Sequence, residues 1–160
     1  MFLRSLIAAL LLSTPALALS CLPYGPVEVY KDAEASEDAY IVVLGTLQFD
    51  ESKLPKVDWE HQDQTPEYTF FTGHFTGHSL GGDGFVHPFD QQIEVNVQCF
   101  GPWCGGLTSG YEYLAYLRQT DDGYLLTTDP CGGMAFGHPD ESVVRQVVRC
   151  GRGGRCVPRR

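Results

Sequence analysis

The sequence predicts a small, mainly β domain that is exported. Its 160 residues suit one domain, and a hydrophobic fraction of 43% is sufficient for a core. Five segments have the composition or alternation of strands, whereas only two segments favour a helix. Six cysteines in an exported chain indicate three disulfides.

The first 20 residues have the pattern of a secretory signal peptide. Arg4 supplies the positive start, and residues 6–12 form the apolar segment. Small residues then permit cleavage after Ala18 or after Ser20. Because the apolar segment is shorter than the roughly 18–20 residues of a transmembrane helix, we expect a secreted or periplasmic protein with no transmembrane segment.

The cleavage site decides which residue begins the mature chain. Cleavage after Ala18 leaves Leu19 first, and cleavage after Ser20 leaves Cys21 first. A cysteine directly after the signal also suggests a lipoprotein, but the preceding leucine stands one position late for that signal. Acylation of Cys21 would leave one of the six cysteines unpaired, so the sequence disfavours a lipid anchor.

Charge is distributed unevenly along the chain. Residues 21–144 hold four basic residues against all 20 acidic ones, a net charge of −16, while residues 145–160 carry six arginines and no acid. The acidic body argues against nucleic acid as the partner. The basic tail, residues 151–160, is expected to be solvated, or to bind an acidic partner or lipid headgroups.

The N-terminal half is predicted to contain one helix and two strands. Residues 26–38 favour a short, weak helix, and residues 39–49 form a strand rich in β-branched side chains. Residues 50–66 are polar, contain two prolines and predict a loop. Residues 67–78 alternate between aromatic or Thr side chains and Gly or His, which indicates a second strand. The glycine-rich residues 80–84 then predict a turn.

The C-terminal half is predicted to add three strands and a helix. Residues 91–98 alternate between apolar and polar side chains, and residues 111–119 and 123–128 are joined by a hairpin turn that ends in Asp-Gly. Residues 139–149 place four valines on one helical stripe. Five antiparallel strands with flanking short helices predict, at this length, a five-stranded OB-fold barrel.

Several short motifs follow one another within residues 19–137. They are Cys21-Leu22-Pro23-Tyr24-Gly25-Pro26, the strand at 39–47, Cys104-Gly105-Gly106, Gly110-Tyr111-Glu112-Tyr113-Leu114, Asp122-Gly123 and Cys131. Because these motifs follow one another in this order and spacing, the chain resembles netrin-like domains. Among these, the tissue inhibitors of metalloproteinases are the most similar. The resemblance implies a netrin-like OB barrel at residues 21–150 that disulfides tie to its N-terminal segment.

The resemblance also implies a disulfide scheme, one of fifteen that six cysteines allow. It pairs Cys21 with Cys131. The family's inhibitors have a further cysteine two residues earlier, where this chain has Leu19, so Cys104 needs another partner. Cys99, five residues away, is the expected one. That assignment leaves a last pair, Cys150–Cys156.

The family's inhibitors chelate a protease zinc through the amino group and carbonyl of their first cysteine. The resemblance therefore implies a non-enzymatic protein-binding module with a metalloprotease as its possible partner, and with no cofactor or metal of its own. Its inhibitory surface would be Cys21, Leu22, Pro23 and Tyr24, beside a Cys99–Cys104 loop that carries Trp103. Only a chain that begins at Cys21 would present the chelating group of the family.

A different class of function is suggested by Gly77-His78-Ser79-Leu80-Gly81. This segment matches the Gly-x-Ser-x-Gly nucleophile elbow of serine hydrolases, and Asp129 and His138 follow in the order of that triad. An elbow requires a helix after the serine, however, and the glycines that follow cannot begin one. The alternative interpretation is a glycine-rich β-turn between two strands.

Other candidate residues are histidines and aromatics. His74 and His78 share one face of a strand but lie about 13 Å apart, too far to share one zinc ion, although His87 could pair with one of them. The alternative is an ordinary polar face of the sheet. Trp59, Tyr68 and Trp103 could form a binding platform or serve in packing. A third class of function is a cell-envelope interaction protein that docks through its arginine tail.

Overall fold

The structure is a computed structural model that describes residues 19–158. The predicted signal peptide up to residue 18, and the last two arginines, lie outside the described residues. The described chain is mainly β. Its helices and strands are α1 (Pro26–Ala35), β1 (Tyr40–Gln48), β2 (Tyr68–Gly81), β3 (Gly84–Phe100), β4 (Trp103–Cys104), β5 (Tyr111–Thr120), β6 (Gly123–Thr128), β7 (Ala135–Gly137) and α2 (Glu141–Gly151).

Five strands pair in a closed ring in the order β1-β2-β3-β6-β5, and β5 pairs back onto β1. The short strands β4 and β7 add to β3 and β5. Within the ring, β3 and β6 are parallel and the other neighbours are antiparallel. The prediction of antiparallel strands throughout was therefore wrong at one pair. The reason is geometric, because strand direction cannot alternate all the way around a ring of five.

Apolar side chains form two packed layers. The first fills the inside of the ring and includes Val43, Phe75 and Leu126, all fully buried. The second lies outside the ring, where the valines of α1 and α2 pack against Leu114 and Tyr116 of β5. The valine stripe predicted for the last helix thus faces the sheet. Both helices cover the same region of the ring and leave the outer face of β2–β3 exposed.

The β2–β3 hairpin is longer than its sequence pattern predicted. β2 runs to Gly81 and β3 begins at Gly84, seven residues before the predicted start, so the turn is only Gly82–Asp83. Pro88 lies inside β3, where a missing N–H normally disfavours a strand. It is tolerated because β6 pairs with β3 only from Glu94 onward, so that Pro88 has a neighbouring strand on one side alone.

Two glycines allow β1 and β2 to approach closely. Gly45 and Gly77 are paired across the two strands, and a Cβ atom on either would lie 2.6 Å from the Cα of the other. A side chain at either position would collide with backbone, which cannot move aside without opening the ring. Glycine at such a site marks a tight bend of a closed sheet.

Three disulfides join the six cysteines: Cys21–Cys131, Cys99–Cys104 and Cys150–Cys156. These are the pairs that the resemblance implies. Three disulfides fit an extracellular or periplasmic protein. Between residues 19 and 158, no helix combines the length and apolar character that crossing a membrane requires.

Candidate functional site

The segment before α1 is extended and exposed. Cys21, Leu22, Pro23 and Tyr24 belong to no helix or strand, and all four are exposed. Leu22 is 86% exposed, the most of any large apolar residue in the described chain. Burial of a leucine side chain contributes about 1.5–3 kcal/mol, and this contribution is available to a partner that covers Leu22.

This segment is held at both ends. The Cys21–Cys131 disulfide fixes its start to the turn after β6. At its end, the Glu28 carboxylate accepts a 3.1 Å hydrogen bond from the Gly25 N–H. The buried hydroxyl of Tyr116 donates a 2.6 Å hydrogen bond to the Pro26 carbonyl. A short chain fixed at both ends is preorganised, which lowers the entropic cost of binding.

The Tyr24 side chain folds back onto α1. Its hydroxyl hydrogen-bonds to the Asp32 carboxylate. Burial, together with the hydrogen bond to Asp32, raises the pKa of Tyr24 to about 12. The Tyr24 ring is thereby held on α1 although it stays 43% exposed, whereas Leu22 is 86% exposed and is the more accessible of the two.

The Cys99–Cys104 loop is a tight hairpin between β3 and β4. Cys99 pairs with Cys104, and Phe100 pairs with Trp103. Gly101 adopts a positive φ of 61° at the turn, a conformation that favours glycine. The half-buried indole of Trp103 lies over Gly101, 3.9 Å from where a Cβ atom would stand. Trp103 therefore caps the loop.

The chain after the loop and the N-terminal segment both contact residues 128–131. The backbone of Gly105 packs on the end of β6, where an added Cβ would lie 2.8 Å from the Thr128 carbonyl carbon. The chain then turns through Asp129, whose carboxylate accepts a 2.7 Å hydrogen bond from the Cys131 N–H. Cys131 in turn holds Cys21. Residues 128–131 thus contact Gly105, which follows the loop, and Cys21, which begins the segment; whether the two segments form one binding surface stays a prediction.

A groove of about 930 Å³ lies on the other side of the N-terminal segment, and sequence reasoning missed it. We call it the terminal groove. It is bounded by the segment, by α2 and by the C-terminal tail. Its lining includes Leu22, Tyr24, Val143, Val157 and Pro158. The available signal was the expected Cys150–Cys156 pair, because a tail closed by a disulfide is held against the helix it follows.

Ser79 does not lie on a nucleophile elbow. It is paired within β2 with Val43 and His87, and the chain turns back as a β-hairpin instead of entering a helix. Among residues 19–158, no hydrogen bond joins its hydroxyl to Asp129, His138 or another side chain. Asp129 instead accepts from Cys131, and the His138 ring packs 4.4 Å from that of Tyr111. The glycine-rich turn is the interpretation that matches this geometry.

The histidines lie along the β2–β3 hairpin. His74 and His78 project from the exposed face of β2, and the Nε2 atom of His74 lies 2.5 Å from an Asp90 carboxylate oxygen. His87 lies beside Gly81, where its ring occupies the space of a missing Cβ. Within the described residues, no three His, Cys, Asp or Glu side chains are grouped as a metal site requires.

Trp59, Tyr68 and Trp103, proposed as a binding platform, lie in three different parts of the chain. Trp103 caps its loop, and Trp59 stands 65% exposed in the loop after β1. Tyr68 is 51% exposed at the start of β2. Its exposed neighbours are Phe70 and Phe100, which the sequence analysis did not single out.

No family model, curated protein or solved structure matches this chain.

Proposed function

We propose that the five-stranded ring is an OB barrel of the netrin-like kind. The strand order, the single parallel pair and the helix α1 before β1 support this assignment. The Cys21–Cys131 bond supports it further, because it ties the N-terminal segment to the ring as the family does.

The protein is an exported, non-enzymatic binding module that inhibits a zinc metalloprotease. The observation that carries this proposal is the rigid, exposed segment at Cys21–Tyr24, with Leu22 86% exposed. A segment of this kind can enter an active-site cleft without a large loss of conformational entropy. The Cys99–Cys104 loop, which is followed by Gly105 on the end of β6, would supply a second contact.

The proposal requires cleavage after Ser20. Cys21 then carries the free α-amino group, and its amino nitrogen and carbonyl oxygen are the atoms that would face the protease zinc. The disulfide to Cys131 fixes both atoms. Leu22 follows directly and suits an apolar pocket beside the metal. An unperturbed α-amino group has a pKa of about 7.7–8.0 and binds metal only when neutral, so we expect tighter inhibition as the pH rises from about 6 to about 8.

The first test is the intact, non-reduced mass of the exported protein. A chain that begins at Cys21 without free thiols supports the proposal. A chain that begins at Leu19 contradicts the chelation step and leaves a general binding role. A diacylglycerol increment on Cys21 contradicts both the disulfide and the chelation.

The second test is inhibition of a panel of zinc metalloproteases. We expect Leu22→Gly to weaken inhibition by roughly ten-fold or more, because one apolar side chain leaves the pocket. Trp59→Gly is the matched control, since Trp59 is 65% exposed in a loop outside the segment. Equal effects of the two substitutions would contradict the assigned surface. Labelling by a fluorophosphonate probe that is lost in Ser79→Ala would contradict a non-enzymatic function.

A further inference from the structure

Three exposed apolar side chains surround the terminal groove. Leu22 is 86% exposed, Val157 is 51% exposed and Tyr24 is 43% exposed, and all three line the groove. Single exposed apolar residues are common on soluble proteins, whereas a group of them around one depression marks an interaction surface.

The tail side of this groove is ordered by its own bonds. The Cys150–Cys156 disulfide closes a short loop at the end of α2. Within it, the Gly153 N–H donates to the Cys150 carbonyl at 2.9 Å, and the Gly154 N–H donates to the Arg149 carbonyl at 3.0 Å. Val157 and Pro158 are therefore held opposite the N-terminal segment.

Arginines lie near Val157 in the sequence, outside the residues that line the groove, and the Arg152 Nε–H donates to the Gly82 carbonyl at 2.8 Å. Arg149, Arg152 and Arg155 are exposed, and two more arginines follow directly after Pro158 in the sequence. Residues 142–160 contain no Asp or Glu. Glu28 is the acidic residue in the groove lining, and its carboxylate accepts the Gly25 N–H. The tail beside the groove is thus strongly basic, whereas Glu28 and the Asp32 partner of Tyr24 lie on the side of the N-terminal segment.

The remainder of the chain has the opposite charge, a net −16 over residues 21–144. A negative surface attracts the arginines of residues 145–160 and repels the acidic residues 21–144. The protein is therefore oriented with its tail toward that surface. A soluble polyanion would satisfy the arginines alone. A lipid surface satisfies the arginines through its phosphates and also accepts the apolar side chains.

We propose that the terminal groove and its arginines dock the protein on the surface of an anionic lipid bilayer. Arg155 and the two terminal arginines bind lipid phosphates, while Val157 and Leu22 enter the headgroup region. This inference does not rest on the proposed inhibition, but a protein docked through Leu22 could not insert the same side chain into a protease. Because Leu22 takes part in both surfaces, the test uses residues of the tail.

The test is sedimentation of the mature exported protein with vesicles of POPC, with and without about 30% POPG. We expect binding to the anionic vesicles only, weakened as NaCl rises from about 0.05 to about 0.5 M. Replacing Arg155, Arg159 and Arg160 together by Gln is expected to weaken binding roughly a hundred-fold, or about five-fold per arginine. Val157→Ser is expected to weaken it roughly ten-fold.

Two control variants match these changes. Arg118→Gln removes an arginine of the acidic body that is paired with Asp38 at 3.5 Å. Phe70→Ser removes an apolar side chain that is 55% exposed on the distant face of β2. Neither is expected to change vesicle binding.

Equal binding to neutral and anionic vesicles would overturn the proposal, as would an unaffected triple Arg variant. Binding to heparin without binding to vesicles would overturn it in favour of a polyanion partner. Vesicle binding that is lost in the triple Arg variant but retained in Val157→Ser would show that no apolar side chain enters the bilayer. That result would also overturn the proposal in favour of a polyanion partner.

Discussion

The disulfide between Cys21 and Cys131 should contribute more to stability than either short-range bond. It links residues 110 apart in sequence, whereas Cys99 and Cys104 are 5 apart. A cross-link stabilises mainly by restricting the unfolded chain, and the restriction grows with the logarithm of loop length. The chain-entropy relation gives about 5 kcal/mol for the long loop and about 2 kcal/mol for the short one.

The assay compares two double variants, Cys21→Ser/Cys131→Ser and Cys99→Ser/Cys104→Ser, in chemical denaturation without reductant. Each removes both partners, so no free thiol remains to exchange. For a mature chain of this length, about 5 kcal/mol corresponds to a fall of roughly 15 °C in Tm. We expect the first variant to lose at least twice as much free energy of unfolding as the second.

Equal losses, or a smaller loss in the first variant, would refute the reasoning. Such a result would mean that the N-terminal segment is not fixed to the ring, or that the unfolded chain is already compact around this pair. The first variant is also expected to lose inhibition even where it remains folded, because the segment is then released.

Other substitutions probe the ring, the helix start and the segment separately. Gly77→Val is expected to lower the free energy of unfolding by about 3 kcal/mol or more, or to prevent folding, because its Cβ would lie 2.6 Å from the Cα of Gly45. Gly82→Ala is the control, since its Cβ meets no atom within 4 Å and should leave stability unchanged. Thermal melts followed by circular dichroism compare the two variants. Tyr116→Phe should cost about 1–2 kcal/mol in urea denaturation, because the Pro26 carbonyl loses its hydrogen bond; an unchanged free energy of unfolding would contradict that contact. The pKa of Tyr24 is raised to about 12, so its contribution to stability is complete below about pH 10 and is lost as the pH rises through about 12. Ultraviolet titration should show a phenol that ionises near pH 12 and is absent in Tyr24→Phe. If the substitution removes instead a phenol that ionises near pH 10, the contact is refuted.

Local patterns in the sequence were sufficient to predict most of the elements. β1, β5 and β6 have alternating or β-branched side chains and a clear turn between the last two, so their bounds agree with the prediction to within a few residues. β3 was predicted too short because Pro88 interrupts its pattern, and only the position of β6 explains why proline is tolerated there.

Pairing over long distances was harder to predict. The parallel contact between β3 and β6 follows from closing a ring of five strands, which no short window of sequence contains. β7 has three residues, too few for a periodic pattern. The terminal groove joins Leu22 to Val157 across nearly the whole chain, so it became visible only when both ends were placed.

The central claim is that a free Cys21 terminus makes the inhibitory contact. The most direct measurement compares a protein that begins at Cys21 with one that carries a single additional alanine before it, against the same zinc metalloprotease. The Cys21–Cys131 disulfide and Leu22 are unchanged in both proteins, so the position of the amino group is the variable. We expect inhibition by the first protein and its loss in the second. Equal inhibition by both, or inhibition by neither across the panel, would contradict the claim.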